Sequence, residues 1–187
     1  MLIIGITGTL GAGKGTIVEY LKEKYHFVHF SVREFLKEEV LRRGLIPNRD
    51  SFTFIANDLR SKHTPSYIID QLYSRAQQQA QNAIIESIRT PGEIDALEQK
   101  GNFLLWSVDA DASIRYQRAV IRNSETDHVS YETFLENEQR EMTSTDPNKQ
   151  NISECIRRAH YRFLNNGNIE QLCKQIDLVM QQIISKQ

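Results

Sequence analysis

The sequence predicts a three-layer α/β fold, in which helices cover both faces of a five-stranded parallel sheet. Short, nearly continuous apolar runs alternate along the chain with segments whose apolar residues have helical spacing. A glycine-rich segment, GTLGAGKGT, separates the first apolar run from the first helical segment. The length of 187 residues suits a single domain with one sizeable core.

Five apolar runs predict the strands. The first, Met1–Thr7, is bounded by the glycine-rich segment, and Phe103–Val108 is the most apolar of the five. The others are Phe27–Ser31, Ala83–Ser87 and Tyr161–Leu164. Because ligands bind beyond the carboxyl ends of parallel strands, we expect the chemistry in the loops that follow these runs.

The segments between the runs predict helices. Helical spacing is clear in 14–25, and Ser31 followed by Glu34 predicts a capping box for a helix that ends near Arg43. Further helices are predicted at 51–62, 66–81, 91–99, 111–122, 130–142 and 169–185. Residues 44–50 and 144–150 have the composition of connections, and the polar break 123–129 is a candidate lid.

Composition limits the classes of partner. A formal net charge of −1 provides no overall basic field, so neither nucleic acid nor a membrane surface is an expected partner. The N-terminus lacks a basic region, and its apolar run is too short for a signal peptide or a membrane span. Cys155 and Cys173 lack metal-ligand spacing. We therefore expect a cytoplasmic protein with reduced cysteines.

The glycine-rich segment matches the phosphate-binding loop, or P-loop, motif G-x-x-x-x-G-K at Gly8, Gly13 and Lys14. Glycines let successive N–H groups face inward, and the following helix adds its positive end, so the loop can hold phosphate oxygens. Lys14 adds a charge near the transferred phosphoryl group. We expect ATP with Mg²⁺ to bind Gly8, Thr9, Gly11, Ala12, Gly13, Lys14, Gly15 and Thr16.

The loop departs from its commonest form in one place. The residue after Lys14 is Gly15, and the hydroxyl group arrives one position later, at Thr16. Thr16 is the candidate metal ligand of the loop. Glu86, at the end of the third predicted strand, is expected to hold Mg²⁺ through water, with Asp109 as the alternative.

The segment GTLGAGKGT resembles that of adenylate kinases and related nucleoside monophosphate kinases. Residues 30–37, FSVREFLK, are similar to the start of their monophosphate-binding helix. The tail AHYRFLNNGNIEQL is similar to the last strand and helix of dephospho-CoA kinases, where an Asn-Gly loop lies beside the adenine. On that resemblance Asn165 is expected to contact the nucleotide.

This resemblance implies a P-loop NTPase fold with a helical monophosphate-binding insertion at 32–82 and a short lid region at about 115–142. It also implies transfer of the γ-phosphoryl group of ATP, assisted by Mg²⁺. Two departures matter: Glu86-Ser87 stands where such kinases often carry Asp-Gly, and Gly15 stands where dephospho-CoA kinases usually carry Ser.

Phosphoryl transfer depends on positioning and charge neutralisation, so arginines near the loop are candidates. Arg118 and Arg122 share one helix face and are expected to act with Lys14 on the ATP phosphates. Arg115 and Arg140 have weaker claims. The expected acceptor contacts are Ser31, Arg33, Arg60 and Arg89. For Arg33, Arg60, Arg118 and Arg122 an ordinary helix-surface role is the alternative, whereas Arg89 lies in a loop past the third predicted strand, where structure rarely requires an arginine.

The function predicted from these features is a phosphotransferase that moves the γ-phosphoryl group of ATP to a nucleoside or deoxynucleoside monophosphate. Two alternatives stay open, a dephospho-CoA kinase that phosphorylates a ribose hydroxyl and a nucleotide-binding regulatory ATPase. The acceptor is expected to be a small molecule, and both a monomer and a homodimer are compatible with the sequence.

Overall fold

In the computed structural model, which describes residues 1–123 and 129–186, the strands form one parallel sheet in the order β2-β3-β1-β4-β5. The strands are β1 (Ile3–Gly8), β2 (Val28–Ser31), β3 (Ala83–Glu86), β4 (Phe103–Asp109) and β5 (Tyr161–Leu164). Each falls on a predicted apolar run. The predicted three-layer fold with a five-stranded parallel sheet is therefore confirmed.

Helices fill most of the connections. They are α1 (Lys14–Tyr25), α2 (Val32–Arg42), α3 (Arg49–Lys62), α4 (Tyr67–Gln79), α5 (Pro91–Gln99), α6 (Ala112–Arg122), α7 (Tyr131–Met142), α8 (Ile152–Arg157) and α9 (Ile169–Ile184). None of the described helices combines the length and the apolar character that crossing a bilayer requires. Residues 124–128, inside the predicted lid, lie outside the described residues.

Three helices differ from the sequence-based expectation by two residues or more, and one of them is α4, which ends at Gln79. α3 begins two residues earlier than expected, because Asn48 and Ser51 form a reciprocal capping box at its start. α8 was not expected at all, and Asn151 caps it by accepting a hydrogen bond from the Glu154 N–H. At α2 the Ser31 hydroxyl accepts from the Glu34 N–H at 3.2 Å, which is one of the two hydrogen bonds of the predicted capping box.

The hydrophobic core lies on both faces of the sheet. Ile85 and Leu105 face the cluster that includes α2, α3 and α4, whereas Ile84 and Trp106 face the cluster that includes α1 and α9. All four side chains are fully buried. Strands covered on both faces need apolar residues at successive positions, which is why the apolar runs are nearly continuous.

The strand register brings the functional loops together at one edge. Gly8 pairs with Val108 and Ser31 pairs with Glu86 at the carboxyl ends of their strands. Gly8 begins the P-loop, and the segment between β2 and β3 folds into α2, α3 and α4. This edge is where parallel α/β folds bind ligands, so the site is sought here.

Candidate active site

The P-loop lies between β1 and α1 and is packed tightly on its inner side. Gly8 has φ 138° and Gly11 has φ 78°, a region that favours glycine. A Cβ atom on either residue would overlap a backbone carbonyl oxygen, that of Val108 or that of Arg115. At Gly15 an added Cβ would have no neighbour within 4 Å. The loop therefore closes on the protein at one side and is open at the other.

Lys14 is held inside the loop. Its ammonium group donates to the carbonyl oxygens of Gly8 at 3.0 Å and Thr9 at 2.8 Å. Burial, with a smaller contribution from Arg89, lowers the pKa of Lys14 to about 8, and Glu86 acts in the opposite direction. The protein alone therefore stabilises the charged form of Lys14 poorly, and a bound anion would stabilise that form.

Side chains from neighbouring strand ends support the loop from behind. The Thr9 hydroxyl donates to Asp109 Oδ1 at 2.5 Å, and Asn165 Nδ2 donates to the Ala12 carbonyl at 2.8 Å. Gly8, Thr9 and Ala12 are buried, so they shape the loop rather than face the ligand side. Asp109 Oδ1 also accepts from the Ala110 N–H, which makes Asp109 an anchor of the loop.

A groove runs over the open side of the loop. It is lined by the loop, α6, the end of β3 and the segment after β5, at Gly11, Gly13, Lys14, Gly15, Thr16, Glu86, Arg118, Arg122, Asn165 and Gly167–Glu170. Arg118 Nη2 donates to the Gly167 carbonyl at 3.2 Å. Arg118 Nη1 is buried without a hydrogen-bond partner among the described residues. A buried orphan donor beside the P-loop fits a phosphate oxygen.

A second cavity adjoins the groove, between α2, α3, α7 and the loop after β3. Its cationic lining residues are Lys14, Arg33, Arg49, Arg60, Arg89 and Arg122, and its carboxylates are Glu86 and Glu141. Val32, Leu36, Phe52 and Ala56 give it an apolar wall. The excess of cations makes this cavity suited to an anionic small molecule, and we call it the arginine pocket.

The groove and the arginine pocket share three of the residues that the structure describes. Lys14, Glu86 and Arg122 line both cavities. A ligand on the P-loop and a ligand in the arginine pocket would therefore meet at one wall that carries two cations and a carboxylate. This juxtaposition is the arrangement that group transfer between two bound molecules requires.

Comparison with known proteins agrees with this geometry. A protein family described as an AAA domain (AAA_18) matches residues 4–144. The chain belongs to this AAA domain family. The chain is also similar to the UPF0200 protein MMP1282 of Methanococcus maripaludis, with 27% identity over 188 residues and 99% of each chain covered.

Solved structures extend the comparison to kinases. Shikimate kinase from Bacteroides thetaiotaomicron aligns with a TM-score of 0.60 at 12% identity, covering 96% of this chain and 98% of that one. A gluconokinase from Sinorhizobium meliloti aligns with a TM-score of 0.56 at 13% identity, covering 99% and 97%. Likeness at this level shows the fold alone. This AAA domain protein therefore has the P-loop kinase fold, which implies nucleotide binding.

Glu86 is a carboxylate at the end of β3 whose pKa depends on its neighbours. Burial acts to raise its pKa, but contact with His29, whose Nε2 lies 3.2 Å from Glu86 Oε2, and the nearby Lys14 keep the pKa below its ordinary value. Glu86 and Thr16 line the same groove, and their oxygens are of the kind that Mg²⁺ accepts beside phosphates. Asp109 lines neither cavity.

Arg60 lies at the pocket within a buried ion pair. Its Nη2 donates to Glu93 Oε1 at 2.7 Å, and the two side chains are 1% and 0% exposed. Glu93 Oε2 accepts the N–H groups of Arg89 and Thr90, so the pair also fixes the loop after β3. Arg60 Nη1 has no hydrogen-bond partner in residues 1–123 and 129–186. One donor of Arg60 is thus left for a ligand.

The other predicted residues divide between the cavities and the scaffold. Arg33 lies over the Phe52 ring at 5.3 Å, and both line the arginine pocket. Ser31 lies outside both cavities, where its hydroxyl caps α2. Arg115 is buried and pairs with Glu138, so it joins α6 to α7.

Two residues of the pocket were not predicted from the sequence, and a third has an unexpected conformation. Arg49 lies in a segment expected to be a connection, and Glu141 looks like an ordinary residue of a polar helix face. They pair at 2.6 Å across 92 residues of sequence. Ser87 has φ 74°, the conformation that favours glycine. Ser87 therefore has a backbone conformation that a glycine would adopt at lower cost.

Proposed function

We propose that this protein is an ATP-dependent phosphotransferase whose acceptor is a small anionic molecule, and that the acceptor is a nucleoside or deoxynucleoside monophosphate. The observation that supports this most directly is the wall shared by the groove and the arginine pocket, at Lys14, Glu86 and Arg122. A protein that only hydrolysed ATP would have no use for a second cationic cavity at that wall.

On this proposal ATP lies in the groove and Lys14, Arg118 and Arg122 bind its phosphates. Lys14 exchanges the Gly8 and Thr9 carbonyls for phosphate oxygens, and Arg118 gains a partner for its unpaired Nη1. Mg²⁺ neutralises part of the phosphate charge when it is bound. Thr16 and Glu86, which both line the groove, are the residues that would hold the Mg²⁺.

The acceptor lies in the arginine pocket. Arg33, Arg60 and Arg89 supply guanidinium groups for its anionic part. Phe52 and its apolar neighbours suit a flat or apolar part of the same molecule. These residues lie largely in the insertion between β2 and β3, which is the acceptor-binding insertion of the proposal. The resemblance to adenylate kinases and dephospho-CoA kinases favours a nucleotide for this role.

A second candidate is favoured by Glu86. It is an ionised carboxylate at the wall shared by both cavities, and its lowered pKa makes it a weaker proton acceptor than an ordinary carboxylate. A carboxylate there would accept the proton of a hydroxyl acceptor, as a dephospho-CoA kinase needs. A phosphate acceptor needs no such base. The two candidates therefore differ in whether Glu86 serves the metal alone or also the acceptor.

The test is ADP formation from ATP and Mg²⁺ in the presence of single acceptors. The panel comprises nucleoside and deoxynucleoside monophosphates and dephospho-CoA, with shikimate and gluconate added because two structural neighbours are named for them. We expect a monophosphate to stimulate ADP formation. Stimulation by dephospho-CoA alone would favour the second candidate. Slow hydrolysis that no acceptor changes would favour a regulatory ATPase and contradict the proposal.

A matched pair of variants tests whether the acceptor binds in the arginine pocket. Arg89→Met removes a pocket guanidinium, and we expect the acceptor KM to rise by roughly tenfold to a hundredfold, the loss of one charge-assisted hydrogen bond. Arg42→Met removes an arginine that is 72% exposed on α2 and outside the pocket. That control should leave the acceptor KM unchanged. Equal effects of both variants would count against the pocket as the acceptor site.

A further inference from the structure

Glu141 bridges two arginines of the arginine pocket. Its Oε1 accepts from Arg49 Nη2 at 2.6 Å, and its Oε2 accepts from Arg89 Nη1 at 2.8 Å. The three residues belong to separate elements, since Arg49 begins α3, Arg89 follows β3 and Glu141 lies in the last turn of α7. Two guanidinium groups thus converge from different sides on the two oxygens of one carboxylate.

We infer that Arg49 and Arg89 form a binding subsite for an anionic group of the acceptor, and that Glu141 occupies this subsite until the acceptor displaces it. The inference rests on the proposed function, because it assigns the arginine pocket to an acceptor. It adds Arg49 to the acceptor contacts and gives α7 a side chain that competes with the acceptor. The chemical class of the ligand group is a phosphate or a carboxylate.

The charges around the bridge explain why Glu141 occupies the subsite in place of the acceptor's anionic group. Without Glu141 the two guanidinium groups would share a half-buried cavity with Lys14, Arg33 and further cations, and Glu86 would be the one lining carboxylate left among residues 1–123 and 129–186. Burial acts to raise the pKa of Glu141, but Arg89 and Arg49 outweigh it and keep that pKa below its ordinary value. Glu141 is therefore an ionised counter-charge for a pocket that needs one.

The same geometry makes the carboxylate replaceable. The side chains of Arg49, Arg89 and Glu141 are 21%, 24% and 14% exposed, so a soluble anion can reach the bridge. A phosphate offers oxygens to the same two donors and carries more negative charge than one carboxylate. Arg89 also donates to Gln150 Oε1 at 2.6 Å, which holds the guanidinium in place when Glu141 leaves.

The opposite role for Glu141 is a permanent one, in which it fixes Arg49 and Arg89 for an acceptor bound elsewhere in the pocket. The two roles predict opposite signs for one measurement. If Glu141 competes with the anion, removing its charge tightens anion binding. If Glu141 positions the arginines, removing its charge weakens or leaves unchanged the binding of the same anion.

The test uses inorganic phosphate as the probe and calorimetric titration as the readout. The whole protein is first saturated with ADP and Mg²⁺, so that the P-loop groove is filled. We expect Glu141→Gln to bind phosphate roughly tenfold more tightly than the unchanged protein, the gain if Glu141 holds the subsite about nine-tenths of the time. Glu136→Gln removes an exposed charge from the same helix and should change nothing. Weaker or equal binding in Glu141→Gln would overturn the inference.

Two further variants locate the bound phosphate and guard against misfolding. Arg49→Met combined with Glu141→Gln should abolish the gain, and a gain that persists would mean that phosphate binds elsewhere and would refute the inference. Should Glu141→Gln fail to fold, Glu141→Asp keeps the charge on a shorter side chain and should give a smaller gain of the same sign. This test measures binding and not turnover. An absence of acceptor-dependent ADP formation would therefore contradict the proposed function but would not decide whether Glu141 competes with the anion.

Discussion

Binding of ATP is expected to draw a proton onto Lys14. In the unliganded protein, burial and Arg89 lower the pKa of Lys14 to about 8. Bound phosphates would place negative charge beside the ammonium group and raise this pKa toward or above its ordinary value of about 10.4. The protonated form is then favoured in the complex, and binding must take up protons wherever the free lysine is partly neutral.

The size of this effect follows from the two pKa values. With a free pKa of about 8 and a bound pKa at least two units higher, binding takes up about 0.5 proton at pH 8, about 0.9 at pH 9 and less than about 0.1 at pH 7. The affinity for ATP should fall accordingly, by about tenfold between pH 7 and pH 9. The unfolded chain also binds more protons than the folded one between about pH 8 and 10.4, so the Lys14 contribution to the free energy of unfolding rises across that window.

The assay is calorimetric titration with ATP and Mg²⁺ at each pH in two buffers of different ionisation enthalpy. The difference in the measured heat gives the number of protons taken up. Lys14→Arg is the control, because a guanidinium group stays charged throughout this range. Uptake that does not change between pH 7 and pH 9, or that is the same in the arginine variant, would refute the assignment of the lowered pKa to Lys14.

Three further predictions concern the scaffold of the site. Glu93→Gln leaves Arg60 charged in a buried setting and should lower the free energy of unfolding in urea by about 3–5 kcal/mol; a loss below about 1 kcal/mol would show that the pair is not buried as described. Ser87→Gly relieves a left-handed backbone and should raise the free energy of unfolding by about 1 kcal/mol in the same assay, and a decrease would contradict the strain. Gly15→Ala should leave the thermal unfolding midpoint unchanged or higher, since the new methyl group would meet no described residue outside its own stretch of α1 within 4 Å, yet weaken ATP binding roughly tenfold in calorimetry. Unchanged affinity would mean that the nucleotide does not approach Gly15.

The sheet and the P-loop could be predicted because their signals are local. A strand covered on both faces must be apolar at successive positions, as most of Ile3–Gly8 is, and close backbone contacts require glycine at Gly8 and Gly11. α8 escaped prediction because six residues are too few for a periodic pattern, and its start depends on one capping side chain, Asn151. Local pattern thus predicts elements well when they are long or buried.

The arginine pocket could be predicted only in part, because it depends on residues far apart in sequence. Arg89 follows a strand at the ligand-binding edge, and that position alone identified it. Arg60 looked equally like a helix-surface residue, since its partner Glu93 lies 33 residues away. The pairing of Arg49 with Glu141 spans 92 residues and joins the start of α3 to the last turn of α7. Chain topology, rather than local pattern, determines which charges converge.

The central claim is that a phosphoryl group passes from the P-loop groove to a molecule in the arginine pocket, across the wall of Lys14, Glu86 and Arg122. The most direct measurement follows ATP that is radiolabelled in its γ-phosphate, with Mg²⁺ and each acceptor of the panel, and separates the labelled products. The account predicts label on a monophosphate acceptor in amounts equal to the ADP formed. Label that appears solely in inorganic phosphate, at a rate that no acceptor changes, would contradict it.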